Sequence, residues 1–147
     1  MNPKVRVTGI LIEDGEILLV EQLVTNLCRW SLPGGTLEFG ESIEAGLKRE
    51  MVEETGLGVD VERLLYVCDR LYDDTHVVHM TFEIKRVDGT LIVGEEPESD
   101  ANPITDVAMV PLDDLETYGF AVRFRELAEN GFPNSGTYRG LVENIGL

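Results

Sequence analysis

The chain has 147 residues, enough for one domain with a real core, and its 43% hydrophobic and 27% charged content is ordinary for a globular protein. Its charge is not ordinary: 28 acidic residues against 12 lysines and arginines give −16, which argues against nucleic-acid polymers and anionic membrane surfaces as partners. Two isolated cysteines, Cys28 and Cys68, lack metal-type spacing, and no leader-like or membrane-length apolar run occurs, so a cytoplasmic, soluble protein without disulfides is expected.

Residues 5–12 read as a strand and 17–22 as its partner, joined through Asp14-Gly15, a strong hairpin signal. Residues 23–29 are expected to loop toward Trp30 and the Pro33-Gly34-Gly35 turn. Trp30 suits either core packing or a wall of a substrate pocket. Arg29 beside it suits either solvent or a substrate phosphate.

Residues 43–55 contain no proline, Ser42 can cap their start, and Gly56 can close their end in the left-handed conformation. A helix of about three turns is predicted. At about 100° per residue, Ile43, Leu47, Glu50 and Glu54 share one stripe, with Gly46 and Glu53 along its edge and Val52 facing away. The core-facing stripe therefore runs into carboxylates over the last turns. Such carboxylates repel one another unless a cation sits among them, and oxygen-only ligands suit a hard ion such as Mg²⁺. The plainer alternative is a solvated acidic face.

The spacing of Gly35, Glu41, Arg49-Glu50, Met51, Glu53-Glu54, Gly56 and Leu57 resembles the Nudix box at every specified position. The preceding Trp30-Ser31-Leu32-Pro33-Gly34 resembles the usual approach to that box. The resemblance implies one Nudix-type domain over residues 1–147, an α/β/α sandwich with a mixed β-sheet between helices. It also implies a MutT-like hydrolase that uses Mg²⁺, with Mn²⁺ able to substitute. Such an enzyme cleaves a phosphoanhydride of a nucleoside diphosphate linked to another group, through a metal-activated water. Glu50, Glu53 and Glu54, with the backbone carbonyl of Gly34 or Gly35, are then expected to hold the metal. Arg49 is expected to orient a ligating glutamate, and Glu41 to tie down the loop before the helix. The competing reading is an inactive Nudix-fold module that senses a nucleotide. Such modules usually show eroded glutamates, and none is missing here.

Downstream, residues 64–70 and 77–85 read as strands linked by the polar turn 72–75. His76 and His79, three apart in a strand, should point to opposite faces and share no metal. Glu83, a carboxylate amid apolar strand residues, is a candidate to face the cleft and contact substrate. The acidic segment 94–103 reads as a solvated linker, or as a loop returning Glu95, Glu96, Glu98 or Asp100 to the site. Glu98 is the candidate general base. Residues 104–112 return as a strand, and Pro111 to Leu115 resembles the opening of the family's second helix, with Phe120, Phe124 and Leu127 as its apolar face. Residues 130–147 read as a mobile tail or as a contact in a homodimer. A small nucleotide is the expected partner. A nucleoside triphosphate, oxidised or not, and a nucleotide sugar both stay open as substrates, while Tyr72 stands where one ADP-ribose subfamily has proline.

Overall fold

The computed structural model describes residues 2–93 and 103–147, so Glu95, Glu96, Glu98 and Asp100 lie outside the described residues. The first sheet runs in the order β5 (Gly34–Thr36), β1 (Lys4–Ile10), β7 (Thr75–Gly89), β6 (Leu57–Tyr72), β9 (Thr137–Leu141). It is mixed, because β1–β7 and β6–β9 pair parallel whereas β1–β5 and β6–β7 pair antiparallel. The second sheet gathers β2 (Ile12–Glu13), β4 (Leu27–Ser31) and β8 (Ile104–Pro111) around β3 (Glu16–Val24).

Successive strand residues face opposite ways, so β1 sends Val7 to one side of its sheet and Ile10 to the other. On the first side, α1 (Ile43–Thr55) presses Leu47 and Met51 onto Val7, Leu57, Val59 and Ile84. On the other, Ile10 and Tyr66 meet Ile17 and Leu19 of β3 and Phe124 of α2 (Val122–Glu129). The mixed sheet therefore lies between two helices, as the expected sandwich requires. Among the described residues no helix is long and apolar enough to cross a membrane.

Several local readings change. The strand expected over 5–12 is two strands: β1 pairs with β5 and β7, and only β2 pairs with β3, as Ile12↔Ile17 and Glu13↔Glu16. The turn itself forms as expected, with positive φ at Asp14 (51°) and Gly15 (77°). Buried Leu11 is the step between sheets. Alternation along a strand reports which residues are buried, not which neighbour the strand pairs with.

The loop expected over 23–29 is a second hairpin. There β3 runs on to Val24, Thr25 and Asn26 turn at φ 47° and 65°, and β4 returns. Threonine is an uncommon residue at positive φ, which hides this turn from the sequence. The helix expected to open at Pro111 does not start there: Leu112–Asp114 form one 3₁₀ turn, and α2 begins at Val122. Phe120 stacks on buried Phe124 from outside the helix, with ring centroids 5.2 Å apart.

The C-terminal segment packs on its own chain. β9 runs beside β6, Gly136 donates its N–H to the Leu65 carbonyl (2.8 Å), and Val142 and Ile145 are buried with Phe124.

Candidate active site

Helix α1 is fixed at both ends before its carboxylates are considered. The Ser42 hydroxyl accepts from the Ala45 N–H at 3.1 Å, and Gly56 closes the helix at φ 75°. Leu47 and Met51 enter the core, and the same buried side carries Glu50 and Glu54, while Val52 is exposed. Glu50 is only 9% exposed and Glu54 only 4%, so these acids are not a solvated face.

What meets them is the short edge strand β5. The Gly34 N–H donates to Glu54 Oε1 at 2.8 Å. Gly35 lies flat on the Glu50 carboxylate: a Cβ there would stand 2.2 Å from Oε1. Glycine at this position is thus a condition for the carboxylate's placement.

Arg49 organises the remaining charges. Its Nη1 donates to Glu50 Oε1 at 3.0 Å and to Glu53 Oε2 at 3.1 Å. Its Nη2 and Nε grip both oxygens of Glu41, at 2.7 and 3.0 Å. Such a two-pronged pair fixes orientation as well as charge. Hydrogen bonds from Arg49, then one from the Glu38 N–H, pull the Glu41 carboxyl down to a pKa of about 2. Glu50 moves the other way. Burial raises its pKa, Arg49 partly offsets that, and neighbouring Glu53 raises it further.

The donor set has the chemistry a hard divalent cation needs: three carboxylates on adjoining turns, facing a glycine backbone whose carbonyls are within the same edge. Burial and the Glu50–Glu53 repulsion both work against ionised carboxylates, and added positive charge would relieve both. Among the described residues no three ligand groups already converge on one point, and Arg49 Nη1 bridges Glu50 and Glu53. Glu50, Glu53, Glu54 and the Gly34 carbonyl are the residues that could hold the ion.

The other sequence candidates are dispersed. Trp30, half-buried on β4, meets Tyr118 edge-on with centroids 5.2 Å apart, four residues before Gly34. Arg29 is exposed on the same strand. Glu83 pairs with Arg63 at 2.5 Å, and Arg63 also donates to Ser135. Met80, Phe82 and Ile84 of β7 face α1, so Glu83 points to the other face of the sheet, the one that carries Thr81 and His79, and its described contact there is Arg63. Glu98 lies outside the described residues.

Sequence reading passed over Arg6. Its Nη2 donates to the Gly34 carbonyl at 3.4 Å, its charge acts on Glu50, and it is the register partner of His79. Burial, then Arg6 and Arg70, press the His79 pKa down to about 4. The signal was a basic residue alternating with Val5, Val7 and Gly9 in β1. Its meaning depended on a pairing 73 residues away.

Comparison with known proteins agrees with this geometry. A model described as the NUDIX domain matches residues 3–130. An ADP-ribose pyrophosphatase of Methanocaldococcus jannaschii is 36% identical over 100 residues, which is 65% of this chain but only 59% of that protein. A MutT-like protein of Streptomyces ambofaciens is 28% identical over 139 residues, covering 92% of this chain and 84% of that protein. A NUDIX hydrolase from Nitrosomonas europaea superposes with a TM-score of 0.71 at 25% identity, over 97% of this chain and 80% of that one. Since the family model takes in nearly the whole chain, including the capped helix and its glycine edge, the protein belongs to the NUDIX family.

Proposed function

We propose that this protein hydrolyses a nucleoside diphosphate linked to a further group, cutting a phosphoanhydride bond to leave a nucleoside monophosphate. The observation that supports this reading most is the clasp of Glu50 and Glu54 on the Gly34–Gly35 edge, with Glu53 held beside them by Arg49. NUDIX enzymes act on small nucleotide substrates and generally use divalent metal ions.

On this reading Glu50, Glu53, Glu54 and the Gly34 carbonyl hold Mg²⁺, or Mn²⁺ in its place. When bound, the ion neutralises phosphate oxygens and lowers the pKa of an attacking water. The chain's own residues do the rest. The Gly34 N–H pins one oxygen of Glu54, and Arg49, anchored on Glu41, sets the direction of Glu50 and Glu53. A carboxylate outside the ligand set accepts the proton from water, the role proposed for Glu98. Trp30 offers an aromatic face for a base, and Arg29 and Glu83 are secondary candidates for substrate contact.

The relative from M. jannaschii is named for ADP-ribose, which returns that nucleotide to the candidates although Tyr72 departs from one such subfamily's pattern. Nucleoside triphosphates, oxidised or not, and nucleotide sugars stand beside it. A panel of these compounds, read out as released phosphate or monophosphate, tests the proposal. Turnover should vanish with EDTA, return with Mg²⁺ or Mn²⁺, and rise toward alkaline pH as ligands and water lose protons. A metal-stripped preparation that still turns over its best substrate would refute the mechanism.

A further inference from the structure

The face of the first sheet turned away from α1 changes character along its strands. In β1 it runs from buried Ile10 through Thr8 to Arg6. In β6 it runs from buried Tyr66 and Cys68 to exposed Arg70 and Tyr72. Between them β7 places His79, the register partner of both Arg6 and Cys68, with Arg70 opposite Val77 two residues on. Alternation puts all these side chains on one face, and the two arginines flank His79 across about 10 Å of sheet. A half-buried imidazole therefore sits between two guanidinium groups, within 3.4 Å of the Thr8 hydroxyl.

Four of the nine arginines are held in ion pairs among the described residues. Arg49, Arg63, Arg86 and Arg125 each pair with a carboxylate. Among the described residues neither Arg6 nor Arg70 does: Arg6 donates to the Gly34 carbonyl, and Arg70 lies over the Tyr72 ring at 5.6 Å. In a chain of net charge −16, two neighbouring cations outside the described ion pairs, with Arg6 acting on Glu50 only through space, are positioned for an external anion. Arg6 also ties this face to the proposed metal-holding edge, since Gly34 is contacted by Arg6 through its carbonyl and by Glu54 through its N–H.

We infer that Arg6 and Arg70, with His79 between them, bind the phosphate oxygens of the nucleotide diphosphate and so position it beside Glu50 and Glu54. The inference rests on the reading of the protein as a nucleoside-diphosphate hydrolase. Arg6 spans the distance between the bound phosphates and the reacting edge. His79 contributes a ring nitrogen without adding a third positive charge that would repel its neighbours.

ADP serves as the probe, with adenosine as its uncharged counterpart, in calorimetric titrations under saturating Mg²⁺. Arg6→Gln and Arg70→Gln should each weaken ADP binding about tenfold or more, the scale of losing a charged hydrogen-bond partner, with adenosine binding unchanged. Arg6→Lys should recover part of the loss, because charge survives and the two-pronged geometry does not. Mn²⁺ affinity should stay within about twofold in Arg70→Gln, because among the described residues Arg70 touches neither the proposed ligands nor the Gly34 carbonyl that Arg6 contacts. In turnover the loss should appear in KM far more than in kcat. Exposed Arg123→Gln on α2 is the control and should bind ADP as wild type does. Unchanged ADP affinity in either glutamine variant overturns the assignment, as does an equal loss for adenosine or wild-type protein that binds no ADP. Absence of turnover with every substrate, combined with the expected ADP losses, would reject the hydrolase reading and leave the phosphate site standing.

Discussion

Glu54 shows how one carboxylate can be buried and still be held in a single orientation. It is 4% exposed, one oxygen is fixed by the Gly34 N–H, Glu50 lies one turn back and Glu53 directly precedes it. Glu54→Gln keeps an oxygen that can accept from Gly34, and Glu53→Gln relieves repulsion at the Arg49 bridge, so both variants should fold. Each should lose about two to three orders of magnitude in kcat, a scale typical of removing a preorganised charge. More than about a tenth of wild-type activity in both, read in steady state on the best panel substrate, would contradict the proposed roles. These residues were legible beforehand because their spacing lies within one helix, where sequence separation fixes direction. Arg6 and His79 were not, because their meeting depends on a parallel pairing between strands 73 residues apart. No local pattern encodes such a pairing.

At the scale of elements, α1 was readable to the residue because both of its stop signals are chemical. The Ser42 hydroxyl satisfies an otherwise unpaired N–H, and Gly56 adopts φ 75° with Thr90 O only 2.5 Å from where a Cβ would stand. Ser42→Ala should therefore cost about 1 kcal/mol. Gly56→Ala should cost about 2 kcal/mol or more, since the left-handed penalty and a backbone clash add. Urea midpoints measure both. Since the cap lies two turns from Glu50, Ser42→Ala should leave kcat near wild type, and a large loss there would mean that the start of the helix, not its carboxylate end, sets the site. The strands were read less well for a related reason. β1 and β2 read as one unbroken, mainly apolar stretch, yet they belong to different sheets and are separated only at buried Leu11. The Thr25-Asn26 hairpin lacks glycine and proline, so the usual punctuation is missing.

Across the whole molecule, acidification does two opposite things to a chain of charge −16. Protonating carboxylates relieves general self-repulsion, and Glu50, whose pKa is raised by burial, is also stabilised by gaining a proton. Groups held away from protonation lose stability instead. Glu41, lowered to about 2 by Arg49, contributes stability that is present above its ordinary value of 4.5 and lost as pH falls through about 2. His79 acts in a higher window. Unfolded, it takes a proton near 6.5; folded, burial with Arg6 and Arg70 delays protonation until about 4. Between those values the unfolded chain holds more protons, so the His79 contribution to stability must fall as pH falls. Taking the two values at face, the loss on going from about pH 7 to about pH 5 is on the order of 2 kcal/mol. His79→Asn removes that term and leaves the carboxylates in place. Urea unfolding of the wild type and the variant at both pH values should therefore show the wild type losing more stability, by about that amount, on acidification. Equal losses in the two proteins would mean that His79 protonates in the folded state as readily as in the unfolded chain, and that the Arg6 and Arg70 charges do not bear on it.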